Sequence, residues 1–193
     1  MGYFKPISIS LSPNVEKDDV LLALNLIIRP WLWRNRKNTN QRTGVCRDVN
    51  AIQILEGGFK KYLGVKYAFS FNSGRSAFYA ILKALIEVEG LKKGDGVLLQ
   101  AFTCNAVVNP VLWADLEPVY VDCDKESFNM SISDLNAKIS LKNLPAGRQA
   151  RVLVVQHTFG QPANMDEIRA ICSKNNIILI EDCAHSLGAE FNG

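Results

Sequence analysis

The stretch Ile177-Ile178-Leu179-Ile180-Glu181-Asp182-Cys183-Ala184-His185 runs a β-branched apolar segment directly into a carboxylate and an imidazole. Four apolar residues in succession, without polar alternation, describe a strand covered on both faces, as in a parallel sheet. The edge where such a strand emerges is where α/β proteins place their chemistry. A second apolar run lies well upstream, Tyr67-Ala68-Phe69-Ser70-Phe71, and breaks at Asn72-Ser73-Gly74-Arg75-Ser76 before a helical pattern begins. Small residues that open a helix leave backbone N–H groups facing outward, and these cradle anions.

Between and around these two points the pattern is regular. A helix is expected from about Ala51 to Leu63, then a strand at Tyr67 to Phe71. The next helix, Ser76 to Val88, carries Phe78, Ile81, Leu82 and Leu85 on one apolar face. Gly94-Asp95-Gly96 is a turn, Val97 to Gln100 a strand, Asn105 to Trp113 a helix, and Pro118 to Asp122 a strand. Pro110 is compatible with that helix if it falls in the first turn. Ser133-Asp134-Leu135 opens a short helix, and Leu144 to Gln149 reads as a surface loop. Arg151 to Val155 is a strand, and Asn164, with Glu167 three residues on, caps a helix that ends near Lys174. Strands alternating with helices, each strand uniformly apolar, imply an α/β fold with a mostly parallel sheet and helices on both faces.

Composition narrows the function classes. The chain has 193 residues, 48% of them hydrophobic, enough for one sizeable core and too ordinary for a disordered or fibrous protein. Its net charge is +3, and the 22 basic residues are scattered among 19 acids, which argues against a nucleic-acid partner. Five cysteines, an odd number with no Cys-x-x-Cys spacing, support neither a disulfide framework nor a zinc site; reduced, mostly buried thiols are expected. The N-terminus lacks the regions of a signal peptide. The apolar stretch Val20 to Trp33 is too short for a bilayer and is interrupted by Arg29 and Pro30, so a soluble, cytoplasmic protein without membrane association is expected. Residues 1–50 read as an N-terminal arm and residues 51–193 as the α/β domain. In the arm, Asp18 and Asp19 precede a helical segment, Val20 to Ile28. Trp31 to Lys37 is either a helix end anchored by tryptophans or a partner-binding or anion-binding patch.

Several residue groups carry chemistry, each with a plainer alternative. Ser73-Gly74-Arg75-Ser76 suits a phosphate, or is an ordinary helix cap; it matches neither a dinucleotide Gly-x-Gly-x-x-Gly nor a Walker loop. Asp182 can pair with a protonated heterocyclic nitrogen and keep that ring an electron sink, or cap the following turn. Neighbouring strand residues point to opposite faces, so Glu181, Asp182 and His185 make a poor metal set, and no metal is expected. His157, just past its strand, reads as a structural hydrogen bonder. Phe102 either stacks on a planar ring or fills the core. A nucleophilic Cys104 paired with His157 or His185 lacks an evident orienting partner. Together the two main groups point to a ligand with a phosphate at one end and a basic ring nitrogen at the other.

The ordered set Ser73-Gly74-Arg75-Ser76-Ala77, Ala101-Phe102-Thr103, Pro118-Val119-Tyr120-Val121-Asp122, His157-Thr158-Phe159-Gly160-Gln161-Pro162 and Glu181-Asp182-Cys183-Ala184-His185 resembles the DegT/DnrJ/StrS family of sugar aminotransferases. The resemblance covers about Val49 to Gly193, and the preceding arm resembles the N-terminal region of some members. It implies the N-terminal part of an aspartate aminotransferase-like, fold type I large domain that binds pyridoxal 5'-phosphate. It also implies an amino-acid donor, a nucleotide-linked keto-sugar substrate and a homodimer. Residue by residue, Ser73, Gly74 and Arg75 would bind the cofactor phosphate, Asp182 would pair with the pyridine nitrogen, and His185 would stand near the ring hydroxyl. Cys104 stands where many members place an aromatic ring against the cofactor, which leaves neighbouring Phe102 as the stacking candidate. In the family the Schiff-base lysine lies downstream of the Glu-Asp-x-Ala-His motif, and the sequence ends at Gly193 before it. These 193 residues alone are therefore expected to bind cofactor weakly and to catalyse little. The alternatives are a pyridoxal-phosphate sugar dehydratase of the same family, where His replaces that lysine, and a non-catalytic phosphate- or nucleotide-binding module.

Overall fold

A computed structural model of the chain describes residues 17–29, 48–140 and 149–190. It divides into two compact units, Met1–Ala68 and Phe69–Gly193.

In the first unit, α1 spans Lys17–Ile28 and α2 spans Asp48–Leu63. Asp18 and Asp19 lie in the first turn of α1, where negative charge complements the helix dipole; Lys60 and Lys61 occupy the last turn of α2, where positive charge does so. Gly64, at φ 66°, ends α2, and the Val65 N–H donates back to the Lys60 carbonyl at 3.1 Å. A left-handed residue here is a common helix stop, and glycine adopts it without strain.

The second unit runs α3 (Gly74–Val88), β1 (Gly96–Gln100), α4 (Asn105–Trp113), β2 (Glu117–Val121), α5 (Ile132–Ser140), β3 (Ala150–Gln156), a 3-10 turn at Thr158–Gly160, α6 (Met165–Asn175) and β4 (Ile178–Asp182). The sheet order is β2-β1-β3-β4, with every neighbouring pair parallel. Alternate residues of one strand feed two cores. Val97, Leu99, Val152 and Val154 pack with Leu82 of α3 and Val107 and Val111 of α4. Leu98, Leu153 and Val155 pack with Leu135 of α5 and Ile168 and Ile171 of α6. The central strands β1 and β3 are buried on both faces, which is why they read as apolar runs, whereas the edge strands β2 and β4 are half-buried, with Tyr120 and Glu181 exposed. Full burial of a Leu such as Leu98 or Leu99 contributes roughly 1.5–3 kcal/mol relative to exposure.

The structure corrects four expectations. Tyr67 to Phe71 is not a strand: it is no part of the four-stranded sheet, and Phe69 is 75% exposed. Apolar β-formers signal a fit to a pleated surface, but a strand exists only where a second backbone supplies the ladder. Pro110 sits in the second turn of α4, not the first; it is buried there, and the helix continues to Trp113. The last strand does not stop before Glu181 but carries both Glu181 and Asp182 within its ladder to β3. Finally, of the described cysteines only Cys172 is buried; Cys123 and Cys183 are half-buried and Cys104 is exposed, because the last three lie at strand and helix ends rather than under a helix. Trp31 to Lys37, Cys46 and nearly all of the Leu144 to Gln149 loop lie outside the described residues. Among the described residues no helix is long and apolar enough to cross a membrane.

Candidate functional site

Gln100, Val121, Gln156 and Asp182 are the last residues of the four strands, so the carboxyl edge of the sheet is lined by two amides and a carboxylate. The pleat sorts the neighbours by face. Ile178 and Ile180 belong to the core beneath α3 and α4, and Asp182, two further on, shares their side. Leu179 belongs to the core beneath α5 and α6, and Glu181 shares that side.

On the α3/α4 side, Asp182 is half-buried and held at both oxygens. Gln156, its register partner on β3, donates from Nε2 to Oδ2 at 3.0 Å. The Ala184 N–H donates to Oδ1, also at 3.0 Å. Asp182 therefore does cap the turn that follows it. A carboxylate accepts about four hydrogen bonds, so capacity for a further donor is left.

On the opposite side, the buried His157 bridges two elements. The Ala163 N–H donates to its Nδ1 at 3.1 Å, which puts the ring hydrogen on Nε2, and Nε2 lies 2.8 Å from Glu181 Oε1. This is the structural hydrogen bonder expected from the sequence, now with its partners. Cys183 joins His157 and Glu181 in a group whose ligand atoms all lie within 4.8 Å of one another. Burial, and then the Glu181 charge, pushes the Cys183 thiol up. The imidazole nitrogen facing the group carries a hydrogen rather than a lone pair, so the set works as a pin between β3 and β4 and not as a metal cage. A cavity of about 200 Å³ beside it is lined by Met165, Arg169, Cys183 and Ser186.

Ser73 is the N-cap of α3. Its backbone is extended, its Oγ accepts from the Ser76 N–H at 3.1 Å and lies 2.9 Å from Ser76 Oγ, and its carbonyl takes the Ala77 N–H at 3.0 Å. That leaves the first-turn N–H groups of Gly74 and Arg75 without an acceptor inside the helix. Apart from its chain neighbours and its own helix, no atom of the described residues lies within 4 Å of where a Cβ on Gly74 would sit, so the space beside this backbone is open among them.

The loops above the edge are tied together by aromatic rings. Phe102, Phe128 and Phe159 lie 5.7–6.3 Å apart between centroids, and Phe159 stacks on His185 at 6.5 Å with the rings 3° from parallel. Phe128 and Phe159 are both left-handed, at φ 57° and 55°, a costly backbone for a bulky residue. Gly160 at φ 80° lets the same loop pass the His185 carbonyl, which a Cβ there would approach to 3.2 Å. Beneath the rings, Gln100 Nε2 reaches the carbonyls of Phe102 and Phe128 and the hydroxyl of Thr158 at 2.7–3.1 Å. Cys104 is the N-cap of α4 and makes no side-chain capping bond. No hydrogen bond joins it to either histidine among the described residues, so the Cys–His nucleophile has no base.

Of the expected site residues, Asp182, His185 and Phe102 thus meet along this edge, His185 and Phe102 through Phe159. Ser73 to Arg75 open the helix that packs on Asp182's face of the sheet. Sequence reading missed the roles of Gln156 and of the Glu181–His157 pair, which show only in the register that aligns β3 with β4, and that of Phe128, whose place depends on a left-handed backbone in the loop after β2.

The sequence profile of the DegT/DnrJ/EryC1/StrS aminotransferase family matches residues 36–193. The chain belongs to this family. Among its curated members, the GDP-perosamine synthase of Escherichia coli O157:H7 is 32% identical over 151 residues, 78% of this chain and 38% of that protein. The putative pyridoxal phosphate-dependent aminotransferase EpsN of Bacillus subtilis is 35% identical over 142 residues, 74% of this chain and 35% of that protein. Among solved structures, a GDP-4-keto-6-deoxymannose-3-dehydratase with a trapped PLP-glutamate geminal diamine matches with a TM-score of 0.66 at 30% identity. That match covers 74% of this chain and 36% of the dehydratase. The chain accordingly has the fold type I α/β architecture of these proteins, and it spans well under half the length of the relatives it matches.

Proposed function

We propose that this chain supplies the cofactor-binding part of a pyridoxal-phosphate-dependent aminotransferase that moves an amino group from an amino acid to a nucleotide-linked keto-sugar. Residues 51–193 would form part of its large domain and residues 1–50 an arm, in a cytoplasmic homodimer. One observation carries the reading: Asp182, oriented at both oxygens, lies on the sheet face packed by α3, the helix whose first turn offers the free N–H groups of Gly74 and Arg75. The donor set fits the cofactor, with an anion cradle left open at Gly74 and a carboxylate with spare acceptor capacity.

Pyridoxal phosphate, when bound, supplies an electron sink in its protonated pyridine ring. The rest is the work of the chain's own residues. Gly74 and Arg75 hold the phosphate through backbone N–H groups, and the hydroxyls of Ser73 and Ser76 border it. Asp182 holds the proton on the ring nitrogen. With the cofactor bound, His185, stacked on Phe159, would stand beside the ring hydroxyl, and Phe102, two residues before Cys104, would supply aromatic surface. A dehydratase is the second reading, favoured by the match to the dehydratase structure.

The test incubates the full-length protein with pyridoxal phosphate, L-glutamate and GDP-4-keto-6-deoxymannose and follows the products by mass spectrometry. An amino sugar supports transamination, and a deoxygenated keto-sugar without nitrogen supports dehydration. Asp182→Asn is expected to abolish either product. Turnover that survives this substitution overturns the role of Asp182, and phosphate binding without any turnover leaves the phosphate-binding module.

A further inference from the structure

Gln156 closes β3 after Val152-Leu153-Val154-Val155, four buried apolar residues, and is the register partner of Asp182. Its amide has one chemically allowed orientation. The Asp182 carboxylate accepts but does not donate, so Nε2 faces Oδ2, at 3.0 Å. The other end of the amide, Oε1, is then buried with no hydrogen-bond partner among the described residues. A methionine would fill the same volume without stranding an acceptor, so the amide is worth its burial only through what Nε2 does.

What Nε2 does is complete a two-point clamp. The Ala184 N–H, from the turn after β4, holds Oδ1, and Gln156, from the neighbouring strand, holds Oδ2. One donor would leave the carboxylate free to swing about χ2; two donors on different elements fix its plane and direct the remaining lone pairs. We infer that Gln156 is a positioning residue, holding the Asp182 carboxylate in the plane in which it meets a protonated ring nitrogen. The inference rests on the pyridoxal-phosphate reading and deepens it: the carboxylate supplies the charge and Gln156 its direction. The pairing is confined to one face of the sheet, because His157, the next residue, is committed to Glu181 on the other.

The probe is pyridoxal phosphate labelled with nitrogen-15 in its ring, bound to the full-length protein and to Gln156→Met, with ring protonation read by NMR across pH. In Gln156→Met the protonation midpoint is expected to fall by about one unit and the dissociation constant for pyridoxal phosphate to rise about tenfold. The thermal unfolding midpoint should hold or rise, since a stranded acceptor has been removed. An unchanged or raised protonation midpoint overturns the role of Gln156 and leaves the proposed function standing. A wild-type protein that binds no pyridoxal phosphate overturns that function and this role with it. A readout on the cofactor-free protein stands apart from the folding of the variant. The Gln156 side-chain amide resonances should move as acid protonates Asp182 and stay still in Asp182→Asn; resonances that ignore acid in the wild type overturn the clamp.

Discussion

The division of labour at the end of β4 turns on single residues. Glu181 and Asp182 are adjacent acids on opposite faces, one spent on His157 and structure, the other clamped by Gln156 and Ala184 with acceptor capacity left over. The carboxylate was legible in the sequence because an acid ending a buried strand is rare enough to notice. Its partners were not, because spacing along one strand says nothing of register with the next. A third acid is purely local. Asp124 Oδ1 accepts from the Ser127 N–H at 2.8 Å, the Ser127 hydroxyl at 2.9 Å and the Glu126 N–H at 3.1 Å. The Ser127 N–H foremost, then its hydroxyl, holds this carboxyl below its usual value. A carboxyl depressed in the folded state stabilises fully above its unfolded pKa, and that contribution is lost as pH falls through the folded pKa. Asp124→Ala should therefore lower the unfolding midpoint at neutral pH, with the gap to wild type narrowing in acid. Thermal melts of both proteins from pH 7 down to pH 2 check this, and a gap that widens in acid contradicts it.

At the scale of elements, start signals were the most readable. Asn164 caps α6 as expected: its Oδ1 accepts from the Glu167 N–H at 3.4 Å, and its Nδ2 donates to Glu167 Oε2 at 2.9 Å. Asn164→Ala should cost about 1 kcal/mol by denaturant titration, with Asn164→Asp close to wild type. A loss as small as a few tenths would mean that packing of Ile168 and Ile171, and not the cap, fixes where α6 begins. Stops were legible where glycine provides them, as at Gly64. They were less so at the end of α6, where Asn176 takes the left-handed conformation at φ 53°. Tyr67 to Phe71 is apolar and β-prone and still no strand, because strand pairing is a property of two segments. The left-handed Phe128 and Phe159 were equally hidden, since nothing in a phenylalanine announces positive φ. Only the glycine after Phe159 hints at a tight loop.

At the scale of the whole molecule, the alternation of helix with uniformly apolar strand fixed the class, and the order of motifs narrowed it to one family before any contact was known. The parallel sheet, its two cores and its carboxyl edge follow from that pattern, although the pattern also suggested a fifth strand at Tyr67 to Phe71 that the sheet of four does not contain. What the pattern could not supply was the joining of distant loops, by the Phe102–Phe128–Phe159 rings above and Gln100 below. On the proposed reading, one ligand spans the Gly74–Arg75 cradle and the Asp182 carboxylate. A crystal structure of the full-length protein grown with pyridoxal phosphate tests it most directly. The phosphate is expected on the N–H groups of Gly74 and Arg75, with the ring nitrogen within hydrogen-bond distance of Asp182. Cofactor bound elsewhere, or bound with its ring nitrogen turned away from Asp182, would contradict it.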